Sequence, residues 1–199
     1  MRTLNVHVTA AALAICVLSL ASPAAAQASQ QCPSQPVAQI FRPWGDLGWY
    51  ASIRDGGMEQ RSGAWSLRGD AAFAPGNEPY YVTSPQDGWS LSLPVGAAAT
   101  SAPTCIGLGH PMLRFFARSM TPTQGQLRID VQFTDLTGTL RSQQIALLAV
   151  GRSWQPTLPI PIVVNSLSLL APLEVQFRFT ASGGAWSIDD VFVDPYGKG

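Results

Sequence analysis

The chain has 199 residues, with 12 Lys plus Arg against 12 Asp plus Glu, a formal net charge of zero. Charged residues make up 12% of it, against roughly 25% in an average protein. Nothing here is a basic footprint for nucleic acid or a polybasic membrane patch, and the length suits one domain with a substantial core.

The first residues, MRTLNVHVTAAALAICVLSLASPAAAQA, place Arg2 ahead of an apolar run from Ala10 to Ala21 and the small-residue stretch Ala24, Ala25, Ala26. That is the three-part pattern of a secretory signal peptide, with an apolar run too short to span a bilayer. Residues 1–26 are therefore expected to be removed. The mature chain is expected to be secreted, with no transmembrane segment and a net charge near −1 once Arg2 is gone. Of three cysteines, Cys16 leaves with the signal. Cys32 and Cys105 remain, and an even pair in an exported chain is expected to form a disulfide, two buried free thiols being the other arrangement. The spacing excludes a CxxC redox site.

Residues 27–48, rich in Gln, Pro and Ser, read as an irregular arm pinned by Cys32. From 49 to 195 short strand-like runs alternate with Gly, Pro, Asn and Asp, and no segment keeps a 3.6-residue apolar period over three turns. Eighteen Gly and sixteen Pro also oppose long helices. In QLRIDVQFTD, Leu127, Ile129, Val131 and Phe133 share one face. In LEVQFRFTA, Val175, Phe177 and Phe179 do so with Leu173, and in WSLSLP the same holds for Trp89, Leu91 and Leu93. These are half-buried antiparallel strands. PMLRFFARS and QQIALLAV are apolar on both faces and read as central strands. Eight to ten strands of this kind predict an all-β, two-sheet antiparallel jelly-roll sandwich, with 196–199 as a tail.

The closing run WSIDDVFVDP breaks the alternation. A β-bulge at Asp189–Asp190 lets Ile188, Val191 and Val193 all point inward, and it leaves two adjacent carboxylates to be neutralised.

Three segments carry a resemblance. DGGMEQRSGAW (55–65), DGWSLSLP (87–94) and WSIDDVFVDP (186–195) resemble, in order and rough spacing, the opening, Ser-Leu and closing strands of galactose-binding-like jelly rolls. These include carbohydrate-binding modules of secreted glycanases. Met58 stands where that family has Phe, and Asp55 where it has Asn. The resemblance implies a structural calcium joining the first and last segments, held by the Gly57 carbonyl and the Glu59 and Asp189 carboxylates, with Asp87 as a weaker fourth ligand. Asp190 is then turned by the bulge toward solvent or a backbone N–H. Calcium takes six to eight oxygens of this mixed kind. Pairing of the same carboxylates with Arg54, Arg61 or Arg68, or their simple solvation, is the alternative.

The polar faces of two strands place Arg128, Asp130, Gln132, Glu174, Gln176 and Arg178 on one shallow surface, which Arg114 and Arg118 join if PMLRFFARS is adjacent. A solvated sheet face explains the same residues. Trp44, Trp49 and Trp154 lie near turns and are the candidate aromatic platforms for a sugar. The mature chain has one histidine, His110, no G-x-S-x-G elbow and no carboxyl pair placed across a cleft. The expectation is a non-catalytic protein that binds an extracellular polysaccharide or cell-surface glycan. The alternatives are a structural or adhesive surface protein and, third, an enzyme.

Overall fold

The computed structural model describes residues 32–61, 63–121, 125–135, 137–149, 151–164, 167 and 172–194. The expected signal peptide and the 196–199 tail lie outside them. A 3-10 turn, η1 (Arg42–Trp44), precedes thirteen strands among these residues. They are β1 (Ala51–Ser52), β2 (Trp65–Arg68), β3 (Ala72–Pro75), β4 (Trp89–Leu93), β5 (Ala98–Ser101), β6 (Thr104–Ile106) and β7 (Met112–Ser119). After them come β8 (Gln126–Thr134), β9 (Leu140–Leu148), β10 (Gln155–Pro156), β11 (Ile160–Pro161), β12 (Leu173–Gly183) and β13 (Trp186–Val193).

The strands form two antiparallel sheets. The seven-stranded sheet runs β10-β7-β13-β4-β3, with β1 also on β13 and β11 also on β7. The six-stranded sheet runs β2-β5-β12-β8-β9, with β6 also on β12. The expected two-sheet sandwich is therefore the fold. The strand count exceeds eight to ten because β1, β10 and β11 are two-residue pairings with too little alternation to read from sequence.

One core fills the space between the sheets. The alternating sets predicted from sequence all point into it: Leu127, Ile129 and Val131 from β8, Val175, Phe177 and Phe179 from β12, Leu91 and Leu93 from β4. Met58, at the position where the resembled family has Phe, is fully buried in the same core. PMLRFFARS is a central strand as expected. QQIALLAV is not. It becomes β9, the edge of the six-stranded sheet, with Leu147 46% exposed.

A second, smaller cluster lies outside the sandwich. The N-terminal arm folds over the outer face of the seven-stranded sheet, where Phe41, Tyr50, Phe116, Trp154 and Phe192 pack together. Phe116 and Phe192 face away from the main core on β7 and β13, so something apolar must cover them. The arm does so. It is held by paired backbone bonds between Ala38 and Tyr50 and by the Cys32–Cys105 disulfide, which forms as predicted with a Cα–Cα distance of 5.5 Å.

Candidate functional site

The closing strand carries the predicted bulge. The β13–β7 register shifts between Asp189 and Phe192, and Asp190 takes a left-handed φ of 49°. Ile188, Val191 and Val193 all reach the core. Both aspartates are buried. Asp189 is fully buried and its two oxygens accept backbone N–H bonds, from Glu78 at 3.1 Å and Asp190 at 2.9 Å. Asp190, expected to turn toward solvent or a backbone N–H, is instead 1% exposed. Its Oδ1 accepts the Thr83 hydroxyl at 2.9 Å, and its Oδ2 is buried with no partner. With the left-handed backbone at Asp190, its side chain faces the 76–88 loop rather than solvent.

Glu78 and Asp87 lie close to the pair, and Glu59 lies close to Asp87. Glu78 is fully buried and was not singled out from sequence; its carboxylate accepts the N–H groups of Tyr80 and Val82 and folds the loop around itself. Glu59 Oε1 accepts the N–H of Gly88 and of Trp89, both at 2.8 Å, which fixes the entry to β4. Asp87 Oδ2 is buried without a partner. Gly57 lies against Asp190: a Cβ there would stand 3.1 Å from Asp190 Oδ1. Among the described residues, the three ion pairs (Arg114–Asp46, Arg128–Asp130, Arg141–Asp135) all lie elsewhere, and Arg61 stacks over the Trp89 ring instead.

The cluster is electrostatically strained. Burial pushes the Asp189 carboxyl up to about 9, with the Asp190 charge adding to it. Burial likewise pushes Asp190 up to about 7, opposed by the Thr83 hydrogen bond and reinforced by Glu78 and Asp87. Asp87 is raised by burial and then by Glu59 and Glu78. A buried anion with no cation takes up a proton or a metal. The donor set is all oxygen, which suits a hard divalent cation. Among the described residues no three acidic, His or Cys side chains converge as a ready cage. Asp190 and Asp87 carry the oxygens left without a partner, whereas Glu59 and Asp189, expected as calcium ligands, accept backbone N–H groups.

The second region is the outer face of the six-stranded sheet. Cross-strand registers align Ser66, Thr100, Arg178, Asp130 and Gln144 into one row across five strands. Gln176, Gln132 and Ser142 form the next row, and Glu174 lies opposite Cys105. All six side chains predicted for this surface are thus brought together on two adjacent strands. Asp130 is 4% exposed and accepts Arg128 Nε and Nη2 at 2.9 and 2.7 Å. Gln176 donates to the Ser101 carbonyl. Arg178 Nε is buried and unpartnered. Among the described residues, alternation leaves no aromatic side chain on the outer face of this sheet.

Trp154 does not join this surface. It is 8% exposed under the arm on the opposite sheet, with the Arg118 guanidinium 4.8 Å from its ring centroid. Arg114 and Arg118 are there too, because β7 belongs to the seven-stranded sheet. Arg114 pairs with Asp46 and donates to the Thr157 carbonyl. His110 Nδ1 accepts the Gly107 N–H at 3.0 Å, a turn contact within the 107–111 segment.

No protein-family model matches the sequence, and no curated protein matches it. Among solved structures, the chain is similar to the N-terminal CBM22-1–CBM22-2 tandem domain of Paenibacillus barcinonensis Xyn10C, at 13% identity over 74% of this chain and 44% of that one, with a TM-score of 0.50. It is also similar to the CBM22-1 xylan-binding domain of the same protein, at 13% identity over 75% of this chain and 94% of that one, TM-score 0.49. A third similar structure is the enzymatically active domain of tailspike protein 4 of bacteriophage CBA120, at 16% identity over 72% of this chain, TM-score 0.49. The chain spans only 21% of that tailspike chain. At such identities the likeness is one of fold. What the chain shares with them is the two-sheet antiparallel sandwich.

Proposed function

We propose that the protein is a secreted, non-catalytic carbohydrate-binding module that holds an extracellular polysaccharide on the outer face of its six-stranded sheet, on a scaffold tied together by calcium. The observation that carries the reading is Arg178. Its Nε is buried and unpartnered in the middle of a row of hydrogen-bonding side chains. A buried donor without an acceptor costs about 1–3 kcal/mol, and a turn of the half-buried Arg178 side chain toward the face would let a sugar hydroxyl accept from it and remove the cost. Gln132, Gln176 and Asp130 beside it present the mixed donors and acceptors that hydroxyls need. The disulfide fits an oxidising compartment. The relatives in fold include a xylan-binding domain and a module in complex with β-1,4-galactotriose, which makes plant polysaccharides the first to try.

Affinity gel electrophoresis in soluble xylan and galactan tests the reading. Retardation of the wild type that is lost in Arg178→Ala supports it. Release of reducing sugar from any of these polysaccharides counts against a non-catalytic role. Among the described residues this face carries no aromatic side chain, which favours one other reading, a structural or adhesive surface protein. Migration unchanged in every polysaccharide would select it.

A further inference from the structure

The arm that covers the seven-stranded sheet also forms an open cleft, a shallow cavity on the surface. It lies between the arm and the 77–83 loop, has a volume of about 670 Å³, and is lined by Gln39, Ile40, Arg42, Pro43, Tyr80 and Val82 among others. That is within the range of about 300–1,000 Å³ usual for small-molecule sites.

Contacts within the fold hold both walls in place. On the loop side, the Tyr80 ring packs edge-on against Trp44 at 4.9 Å and tilted against Phe116 at 5.7 Å, and its hydroxyl donates to the Trp154 carbonyl at 3.2 Å. The buried Glu78 carboxylate holds the Tyr80 and Val82 N–H groups. With its ring fixed in this way, Tyr80 is still 46% exposed. On the arm side, Phe41 is fully buried and Gln39 Nε2 is tied to the Leu47 carbonyl at 2.8 Å. An exposed aromatic face that other rings already hold in place loses little entropy when a ligand stacks on it.

Arg42 supplies the charge. It is exposed, and among the described residues its guanidinium has no ion-pair or hydrogen-bond partner. The nearby acid of the arm, Asp46, is already engaged by Arg114 and Tyr50. One unneutralised planar fork beside an open aromatic face matches an anionic group on a flat, partly apolar ring.

We propose that this cavity is a second binding site, for an acidic sugar residue. The C–H face of the pyranose lies on Tyr80, and a carboxylate or sulfate ester of the same residue is held by Arg42. The choice of a sugar rests on the carbohydrate-binding reading; the choice of an acidic one rests on Arg42.

The test is an NMR titration of 15N-labelled protein with D-glucuronate, D-glucose 6-sulfate and D-glucose in separate arms. The backbone amides of 39–42 and 80–82 are expected to shift with one of the two acids, which identifies the anion, and to respond about tenfold or more weakly to glucose. Arg42→Ala, an exposed position that leaves the core intact, should remove the response. Arg178→Ala, on the opposite sheet, should leave it unchanged. No movement of these amides with either acid overturns the proposal, as does an undiminished response in Arg42→Ala or an equal response to glucose. The two readings fail separately. Polysaccharide retardation through Arg178 without an acid-dependent shift at 39–42 keeps the first site and removes the second. The reverse pattern keeps the cavity and removes the sheet face.

Discussion

The Thr83 hydroxyl donates to the Asp190 carboxylate at 2.9 Å across 107 positions of sequence. Among the described residues, it is the hydrogen bond that opposes the upward shift of the Asp190 pKa. Thr83→Val keeps the shape and removes the donor. The expected outcome is a loss of about 1–3 kcal/mol in metal-free protein, read as a lower midpoint in urea at unchanged slope. An unchanged midpoint would mean that water replaces the hydroxyl.

Calcium should matter to stability through Asp190 rather than Asp189. Binding only to the folded state adds about 2.7 kcal/mol at a hundredfold excess over Kd, so EDTA is expected to lower the melting temperature by several degrees. Asp190→Ala and Asp87→Ala should abolish the EDTA effect, because they remove the two orphaned oxygens. Asp189→Ala should destabilise the protein both with and without EDTA, because its oxygens hold the Glu78 and Asp190 amides. An EDTA effect that survives Asp190→Ala, or no effect in the wild type, would remove the metal from this cluster.

The opening segment passes so close to the closing strand that it tolerates no side chain at one point. A Cβ on Gly56 would meet the Val191 carbonyl oxygen at 2.5 Å and Ser52 Oγ at 2.7 Å. Backbone on one side cannot yield as a flexible side chain does. Gly56→Ala is expected to cost about 1–3 kcal/mol by overpacking, measured by denaturant unfolding. Wild-type stability in this variant would show that the two segments separate freely, against the idea that they clasp a common ion.

How far the sequence led can be seen residue by residue. The strands that face one core and one solvent layer were legible because their period is two: Leu127 to Phe133 and Leu173 to Phe179 needed no other information. The bulge was legible because Ile188, Val191 and Val193 break that period. Which aspartate faces the loop was not, since it depends on a positive φ at Asp190 that a non-glycine residue rarely adopts. Glu78 passed unnoticed because a polar residue in a Pro- and Asn-containing stretch reads as surface; only contact with Asp189, 111 positions away, buries it. The apolar edge strand β9 was misplaced because edge and centre differ in their neighbours, not in their own residues. The arm's cover over the second sheet did leave a signal: Phe116 and Phe192 sit at outward parity and required a partner.

The disulfide should contribute most through the unfolded chain. It closes a loop of 73 positions, for which the chain-entropy model gives about 4 kcal/mol. Reduction is therefore expected to lower the melting temperature by on the order of 10 °C. The Phe41 and Tyr50 packing onto Phe116 should keep most of the arm in place, so near-UV circular dichroism of the folded reduced protein should change little. Loss of the aromatic signal at low temperature after reduction would show that the arm depends on the bond rather than on its packing.

The arm should also respond to pH at both extremes, through Asp46 and Tyr50. Tyr50 donates to Asp46 Oδ2 at 2.7 Å, Gly48 N–H donates to Oδ1, and Arg114 pairs with the same carboxylate. Burial alone raises the Asp46 pKa, but these partners outweigh it and hold the carboxyl below its ordinary 3.8. A depressed folded-state pKa gives stability that is present above the unfolded value and is lost as pH falls through the folded one. The arm should therefore weaken below about pH 3.8. Tyr50 behaves oppositely. Burial, and then its hydrogen bond to the Asp46 anion, raise its pKa well above 10.0. Its contribution is full below the unfolded value and is lost as pH rises beyond it. Tyr50→Phe removes the hydroxyl and keeps the ring against Phe41. It should abolish the alkaline loss, while the Arg114 pair and the Gly48 bond retain part of the acid one. Melting temperatures of wild type and Tyr50→Phe from pH 3 to pH 11 decide the matter, and an alkaline limb that persists in Tyr50→Phe would place the alkaline transition at another group.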